Sequence, residues 1–277
     1  MADTIKFPAS KLGSKLLTFL PMLALLGALA YAQADQKQSR DPAPVDQGNK
    51  NSDLAKAQED SPESVYYVQE IVRRGEVQAV PMLEEKFARS KDLLTKEHVA
   101  SALVRLGNTN DVYWDFLVKQ ATVAIESGIP DFMGHDSQGK SVPGPSPEFT
   151  AWAQAHNLSV SAAEQQVLSY FGAVLILATT RDSRAVSLLR QALSAPNVMI
   201  QTAAAKGLAA VQDKGSIPLI IDACKRAPAE SGAAIARSLV YFDDPEAQAA
   251  VDKYVPKDSA KALREDRAQR GLKTPFD

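Results

Sequence analysis

The stretch "DKGSIPLIIDAC", Asp213 to Cys224, decides the fold, because the chain says nearly the same thing twice more. It reads "DSRAVSLLRQAL" (Asp182–Leu193) 31 residues earlier and "DPEAQAAVDKYV" (Asp244–Val255) 31 residues later. Each copy opens on aspartate, whose carboxylate accepts the free amides of a first helical turn, so Asp182, Asp213 and Asp244 are expected N-caps. Apolar residues follow at Val186, Leu188, Leu189 and Leu193, and at Ile217, Leu219, Ile220 and Cys224. That spacing is a helical stripe, not strand alternation. Pro245 takes the first helical position, where a missing N–H costs nothing. Pro218 is placed near the end of a first turn, where it is expected to bend its helix.

Each first helix is followed by a break and a second, alanine-rich helix. After Pro196-Asn197, the residues Ile200, Ala204, Leu208 and Val211 share one face; after Pro228, Ile235, Leu239 and Phe242 do the same. A two-helix unit of this length cannot bury its apolar face alone, so units at 181–211, 212–242 and 243–271 must stack. The charged final helix, "DSAKALREDRAQRG", suits the outer face of a terminal unit and is expected to be capped by Asp258 or Ser259 and stopped at Gly271. The same phrase recurs earlier as "EVQAVPMLEEKF" (Glu76–Phe87), with Pro81 in the place of Pro218, followed by "HVASALVRLGN" (His98–Asn108). A looser unit follows from Asp111.

The pattern D-x-x-[AS]-[VI]-x-L-[LI], carried by Asp182, Ala185, Val186, Leu188, Leu189 and by Asp213, Ser216, Ile217, Leu219, Ile220, resembles the HEAT-like repeats of the phycobilisome-lyase type. The resemblance covers about 70–125 and 181–271 and would make the chain an exported bacterial member of that group. It implies an all-α fold: a right-handed α-solenoid of about five HEAT-like two-helix repeats, with an irregular insertion between repeat blocks. A scaffold role is implied more than a reaction, since folds of this kind host many functions. A bilin-lyase role has no further support in the residues.

Before the repeats, Lys6, Lys11 and Lys15 precede an apolar run from Leu16 to Leu29 that ends in "AYA". The run is short of the roughly 20 residues a spanning helix needs, and the three-part pattern is that of a secretory signal cleaved after Ala32. The expected location is therefore periplasmic or secreted, the alternative being an uncleaved N-terminal anchor. Residues 33–64 hold few large apolar side chains and are expected to be a disordered tether. The full chain of 277 residues carries a net charge of −2, which gives no bulk basic field for nucleic acid. Cys224 is the single cysteine, expected as a small core residue.

The expected organisation is a signal at 1–32, linker at 33–64, repeats at 65–126, an insertion at 127–180, repeats at 181–271 and a tail at 272–277. The insertion contains a Gly/Pro-rich loop, "SGIPDFMGHDSQGKSVPGPSPEF", then helices at 147–157 and at 161–180, the latter with Ser161 as cap and Glu164 in the capping-box position. Asp131, His135 and Asp136 are metal-ligand types, but a site would need a further ligand such as His156, and no zinc spacing is present. The expectation is a polar loop, with no metal and no cofactor. Trp114 and Trp152 either line a groove or pack the insertion onto the repeats; Lys206 and Arg237 stand on second helices. These four are the candidate partner-binding residues. The reading that follows is a monomeric scaffold for a protein or peptide partner; the alternative is an enzyme or ligand-binding protein with its site at 127–157.

Overall fold

A computed structural model describes residues 50–59, 61, 63–135 and 141–277, and its compact unit spans Ser52–Asp277. The signal segment and most of the expected tether lie outside the described residues. From Lys50 the chain is already helical: α1 (Lys50–Gln58) buries Asp53 and Ala57. It is held by Arg74, which donates to Asp53 at 2.8 Å, by Lys86 Nζ donating to the Glu59 carbonyl at 2.6 Å, and by Arg89 donating to the Gln58 carbonyl. The tether was expected to run to residue 64 because this helix has so few large apolar residues; long cations from later helices fix it instead.

The remaining helices are α2 (Ser64–Arg73), α3 (Val80–Arg89), α4 (Leu93–Arg105), α5 (Asp111–Glu126), α6 (Pro147–Ala155) and α7 (Val160–Thr179). They continue as α8 (Val186–Ala192), α9 (Val198–Ala210), α10 (Ile217–Arg226), α11 (Ala229–Ala236), α12 (Pro245–Tyr254) and α13 (Lys257–Arg270). The repeated phrase reappears as a repeated shape. A 3₁₀ turn at Val77–Ala79, Ser183–Ala185 and Lys214–Ser216 leads into α3, α8 and α10, whose first residues Val80, Val186 and Ile217 are equivalent in the sequence alignment. The residue before each phrase, Gly75, Arg181 or Gln212, has a left-handed backbone with φ of 66°, 55° and 57°. Glycine holds that conformation without strain, whereas arginine and glutamine need the surrounding packing to hold it.

The helices pack in pairs: α3 with α4, α5 with α7, α8 with α9, α10 with α11, and α12 with α13. The second members form a continuous layer, α4 against α7, α7 against α9, and α9 against α11 and the 3₁₀ turn Arg237–Tyr241 that prolongs it. The first members lie behind, α5 touching α8 and α10 touching α12. Alanine and glycine allow the close approach. A Cβ added at Gly207 in α9 would sit 2.7 Å from the Ala178 Cβ in α7. Helix α7 is long and apolar enough to cross a bilayer by length and composition. Here it lies between α5 and α9, with Val174, Ile176, Leu177 and Ala178 buried.

Three details of the expected architecture change. The insertion does not separate repeat blocks: α7, expected as part of it, is the partner of α5, so residues 127–159 interrupt one helix pair. The expected irregular loop contains an antiparallel hairpin, β1 (Met133–His135) with β2 (Ser141–Pro145). Capping also differs. Asp182 and Asp244 accept first-turn amides as expected, but Asp213 does not. Its carboxylate takes the Arg190 guanidinium of the preceding pair in a fork, at 2.9 Å to each oxygen, together with the Ser216 hydroxyl. The last helix starts after Pro256 with no side-chain cap, and α7 is capped by Ser159, not Ser161. Pro218 is the second residue of α10, where no helical hydrogen bond is lost, so it starts the helix rather than bending it. Asp213→Asn should cost about 1 kcal/mol in urea unfolding, the size of a half-exposed forked ion pair between repeats.

The tail is tied back. Arg181 donates to the Phe276 carbonyl at 2.6 Å and pairs with Asp277 at 2.8 Å, and Gln212 donates to the Lys273 carbonyl at 3.5 Å. Asp277 accepts the amides of Lys273 and Thr274 at 2.7 Å each. The strap therefore joins the segment that follows α7 to the carboxyl end of the chain. Removing residues 272–277 should lower the melting temperature by about 5 °C in calorimetry, from the lost Arg181–Asp277 pair and the lost packing of Phe276 against the core.

Candidate partner-binding face

The second-helix layer leaves a narrow stripe of each helix uncovered. In α9, every residue from Val198 to Ala210 is buried except Val198, Met199, Thr202 and Lys206. Met199, Thr202 and Lys206 are spaced three and four apart, one outward face of the helix. On the neighbouring α11 and its 3₁₀ continuation the less buried positions include Ala233, Ala234 and Arg237. On α7 they include Leu175 and Thr179, and on α4 His98 and Arg105.

Two of the residues singled out by sequence, Lys206 and Arg237, stand on neighbouring elements of this face, α9 and the turn after α11. Burial holds the Lys206 ammonium below the usual lysine range, and the Arg237 guanidinium adds to the effect. Among the described residues neither cation has a hydrogen-bonding or ion-pairing partner.

The face has a second polar cluster at its α4 edge. Gln69 joins His98 Nδ1 at 3.0 Å and accepts from Arg105 at 3.2 Å. With the Gln69 amide donating, Nδ1 is an acceptor and the ring is neutral, which agrees with burial pushing His98 down to about 4. Glu97, 2% exposed, has a carboxylate oxygen with no hydrogen-bond partner, and burial first, then Asp92, pushes it up to about 7.

The tryptophans do not join the face. Trp114 in α5 lies 4.1 Å under the Arg184 guanidinium, joining α5 to the 3₁₀ turn that precedes α8. Trp152 in α6 donates to the Ser127 carbonyl at 3.1 Å and stacks on His156 at 4.1 Å, fastening α6 to the segment after α5. Both are packing residues.

The insertion reaches the amino ends of the second helices. Val198 N–H donates to the Asp131 carboxylate at 2.6 Å, the Asn197 amide donates to the Pro130 carbonyl at 3.0 Å, and the Ser141 hydroxyl donates to Glu230 at 2.8 Å. Asp131 thus helps to close the start of α9. His135 is the last residue of β1, and Asp136 lies outside the described residues. Among the described residues no group of three His, Cys, Asp or Glu side chains is placed to hold a metal ion. Cys224 is buried, and its thiol is pushed up to about 12 by that burial, as befits a core residue. A shallow cleft between α12 and α13 is lined by Asp243, Gln248, Arg264 and Arg267. Its arginines are engaged, Arg264 with Asp252 at 2.7 Å and Arg267 with Asp243 at 2.9 Å.

Paired helices, repeated entry turns and a stacked second layer define an all-α, HEAT-like repeat protein. Residues 170–239 match the family model described as HEAT repeats, a span running from the second half of α7 to the turn after α11. No curated protein and no solved structure matches the chain.

Proposed function

We propose that this protein is an exported HEAT-repeat scaffold of the bacterial cell envelope that binds a protein or peptide partner across its second-helix face. The full array is read as a right-handed stack of about five two-helix units, of the phycobilisome-lyase repeat type. The observation that carries the reading is the continuous layer from α4 through α7 and α9 to α11, backed by the first helices and presenting stripes of mixed apolar and cationic character. Repeat stacks use such extended sides for binding, because each unit adds the same strip of surface beside the last. Cleavage after Ala32 would release the repeat unit on a linker from Gln33.

Affinity capture from the envelope fraction of cells that make the protein tests the reading. A stoichiometric partner, eluted by competition with untagged protein, is the expected result. Recovery of the mature chain from the cytoplasm, with no partner above background, would count against both the location and the role.

A further inference from the structure

We infer that the residues following α7 and α9 form a peptide-binding seat whose ligand is an aromatic–acidic turn, and that residues 272–277 fill this seat in cis. The seat lies at the ends of the second helices, not on their outward stripes, so it goes beyond the scaffold reading and does not rest on it.

Two residues build the seat. Arg181 follows α7 and Gln212 follows α9, and both hold a left-handed backbone, with φ of 55° and 57°. The equivalent residue ahead of α3 is Gly75, which takes that conformation freely. Among the described residues the other non-glycine in this region is Asn157, a type that tolerates it. Arginine and glutamine are strained there, so the repeat by itself favours glycine. What glycine lacks is a side chain, and both of these side chains end on the same segment. Arg181 Nη2 donates to the Phe276 carbonyl at 2.6 Å, and its Nη1 pairs with Asp277 at 2.8 Å. The Gln212 amide donates to the Lys273 carbonyl at 3.5 Å and to the Tyr241 carbonyl at 3.1 Å, joining the strap to the turn after α11.

The ligand has its shape before it meets the seat. Asp277 Oδ2 accepts the Lys273 and Thr274 amides at 2.7 Å each, and Oδ1 accepts the Thr274 hydroxyl at 3.0 Å. The Thr274 oxygen in turn accepts the Phe276 amide at 3.2 Å, and Pro275 fixes its own φ. A turn closed by its own bonds loses little freedom on docking. It brings one large side chain, Phe276 against the core, and one charge, Asp277 on Arg181. An aromatic anchor followed by a paired aspartate is therefore the recognition chemistry. A partner segment of that kind, folded in the same turn, is what the seat takes in place of the strap.

Ligand-observed fluorine NMR of acetylated LKTPFD, carrying para-fluorophenylalanine in place of its phenylalanine, tests this on the full chain. The variant F276A/D277N releases the strap without removing it and should broaden the fluorine line. Wild type, its seat filled by a segment at roughly millimolar effective concentration, should bind the peptide about tenfold more weakly. Unlabelled LKTPFD should compete, whereas peptides with alanine for the phenylalanine or asparagine for the aspartate should compete about tenfold less well. Adding Arg181→Gly to F276A/D277N should abolish the broadening with the melting temperature unchanged or raised, because glycine relieves the left-handed backbone. That separates loss of the seat from loss of the fold. If F276A/D277N does not fold, Asp277→Asn alone, which keeps the aromatic anchor, takes its place. The inference is overturned if the folded variant leaves the line sharp, if wild type binds as tightly, or if Arg181→Gly retains binding. Each of these failures leaves the partner of the second-helix face untouched.

Discussion

Replacing Glu97 by glutamine should make the protein more stable at about pH 8 by on the order of 3 kcal/mol relative to the same comparison at about pH 4. Glu97 is buried in α4 with an unpartnered oxygen, and its folded value is raised to about 7 from an ordinary 4.5. Below 4.5 the carboxyl holds its proton in both states and its contribution to stability is fully present. Between 4.5 and 7 the unfolded chain releases that proton while the folded chain retains it, so stability falls as pH rises, and above 7 the loss is complete. His98 acts in the opposite sense. Burial keeps it neutral down to about 4 against an ordinary 6.5, so its contribution is present above 6.5 and lost as pH falls through 4. In the wild type the two offset each other across the mildly acidic range. In Glu97→Gln the histidine acts alone, and stability should rise steadily from about pH 4 to 6.5. Urea midpoints at three pH values measure this. Any fixed cost of an orphaned amide enters at every pH and cancels. A difference between variant and wild type that does not change with pH would contradict the argument.

The second large effect concerns Gly207. A Cβ there would lie 2.7 Å from the Ala178 Cβ, 2.8 Å from Leu189 Cδ1 and 3.2 Å from the Ala178 Cα. The last is backbone of α7, which cannot swing aside as a side-chain end can. Alanine gains about 1 kcal/mol of helix propensity over glycine. Forcing α7 and α9 apart costs about 1–3 kcal/mol, so Gly207→Ala should be a net loss of about 1 kcal/mol. Gly207→Leu should exceed 3 kcal/mol, since the extra atoms enter where Leu189 already sits. Chemical denaturation gives both values. A stabilised Gly207→Ala would mean that the second helices are not packed this closely.

The repeat was legible because its signals are local. The apolar stripe from Val80, Val186 and Ile217, with aspartate or glutamate ahead of it, placed three helices in the register that the structure has. What escaped depends on contacts distant in sequence. Asp213 has the composition of a cap, yet Arg190, 23 residues earlier, claims its carboxylate. Helix α1 looks like linker until Arg74, Lys86 and Arg89 are brought to it. The helix from Val160 was grouped with the insertion because 127–159 separates it from α5; packing restores the pair. Of the residues singled out for binding, Lys206 and Arg237 fall on neighbouring elements, α9 and the turn after α11. Trp114 and Trp152 are drawn into Arg184 and into Ser127 and His156. Sequence offers an aromatic residue either fate, and only the location of its partners decides.

The central claim is that the partner lies on the second-helix face. Site-specific photocrosslinking in the producing cells tests it most directly, with the probe at Thr202 on α9, at Ser187 on the first-helix side in α8, or at Val142 on the hairpin. The expected result is one discrete adduct from Thr202, competed by untagged protein, and none from Ser187. An adduct from Ser187 or from Val142 alone, with Thr202 silent, would contradict the account and move the binding surface to the opposite layer or to the insertion.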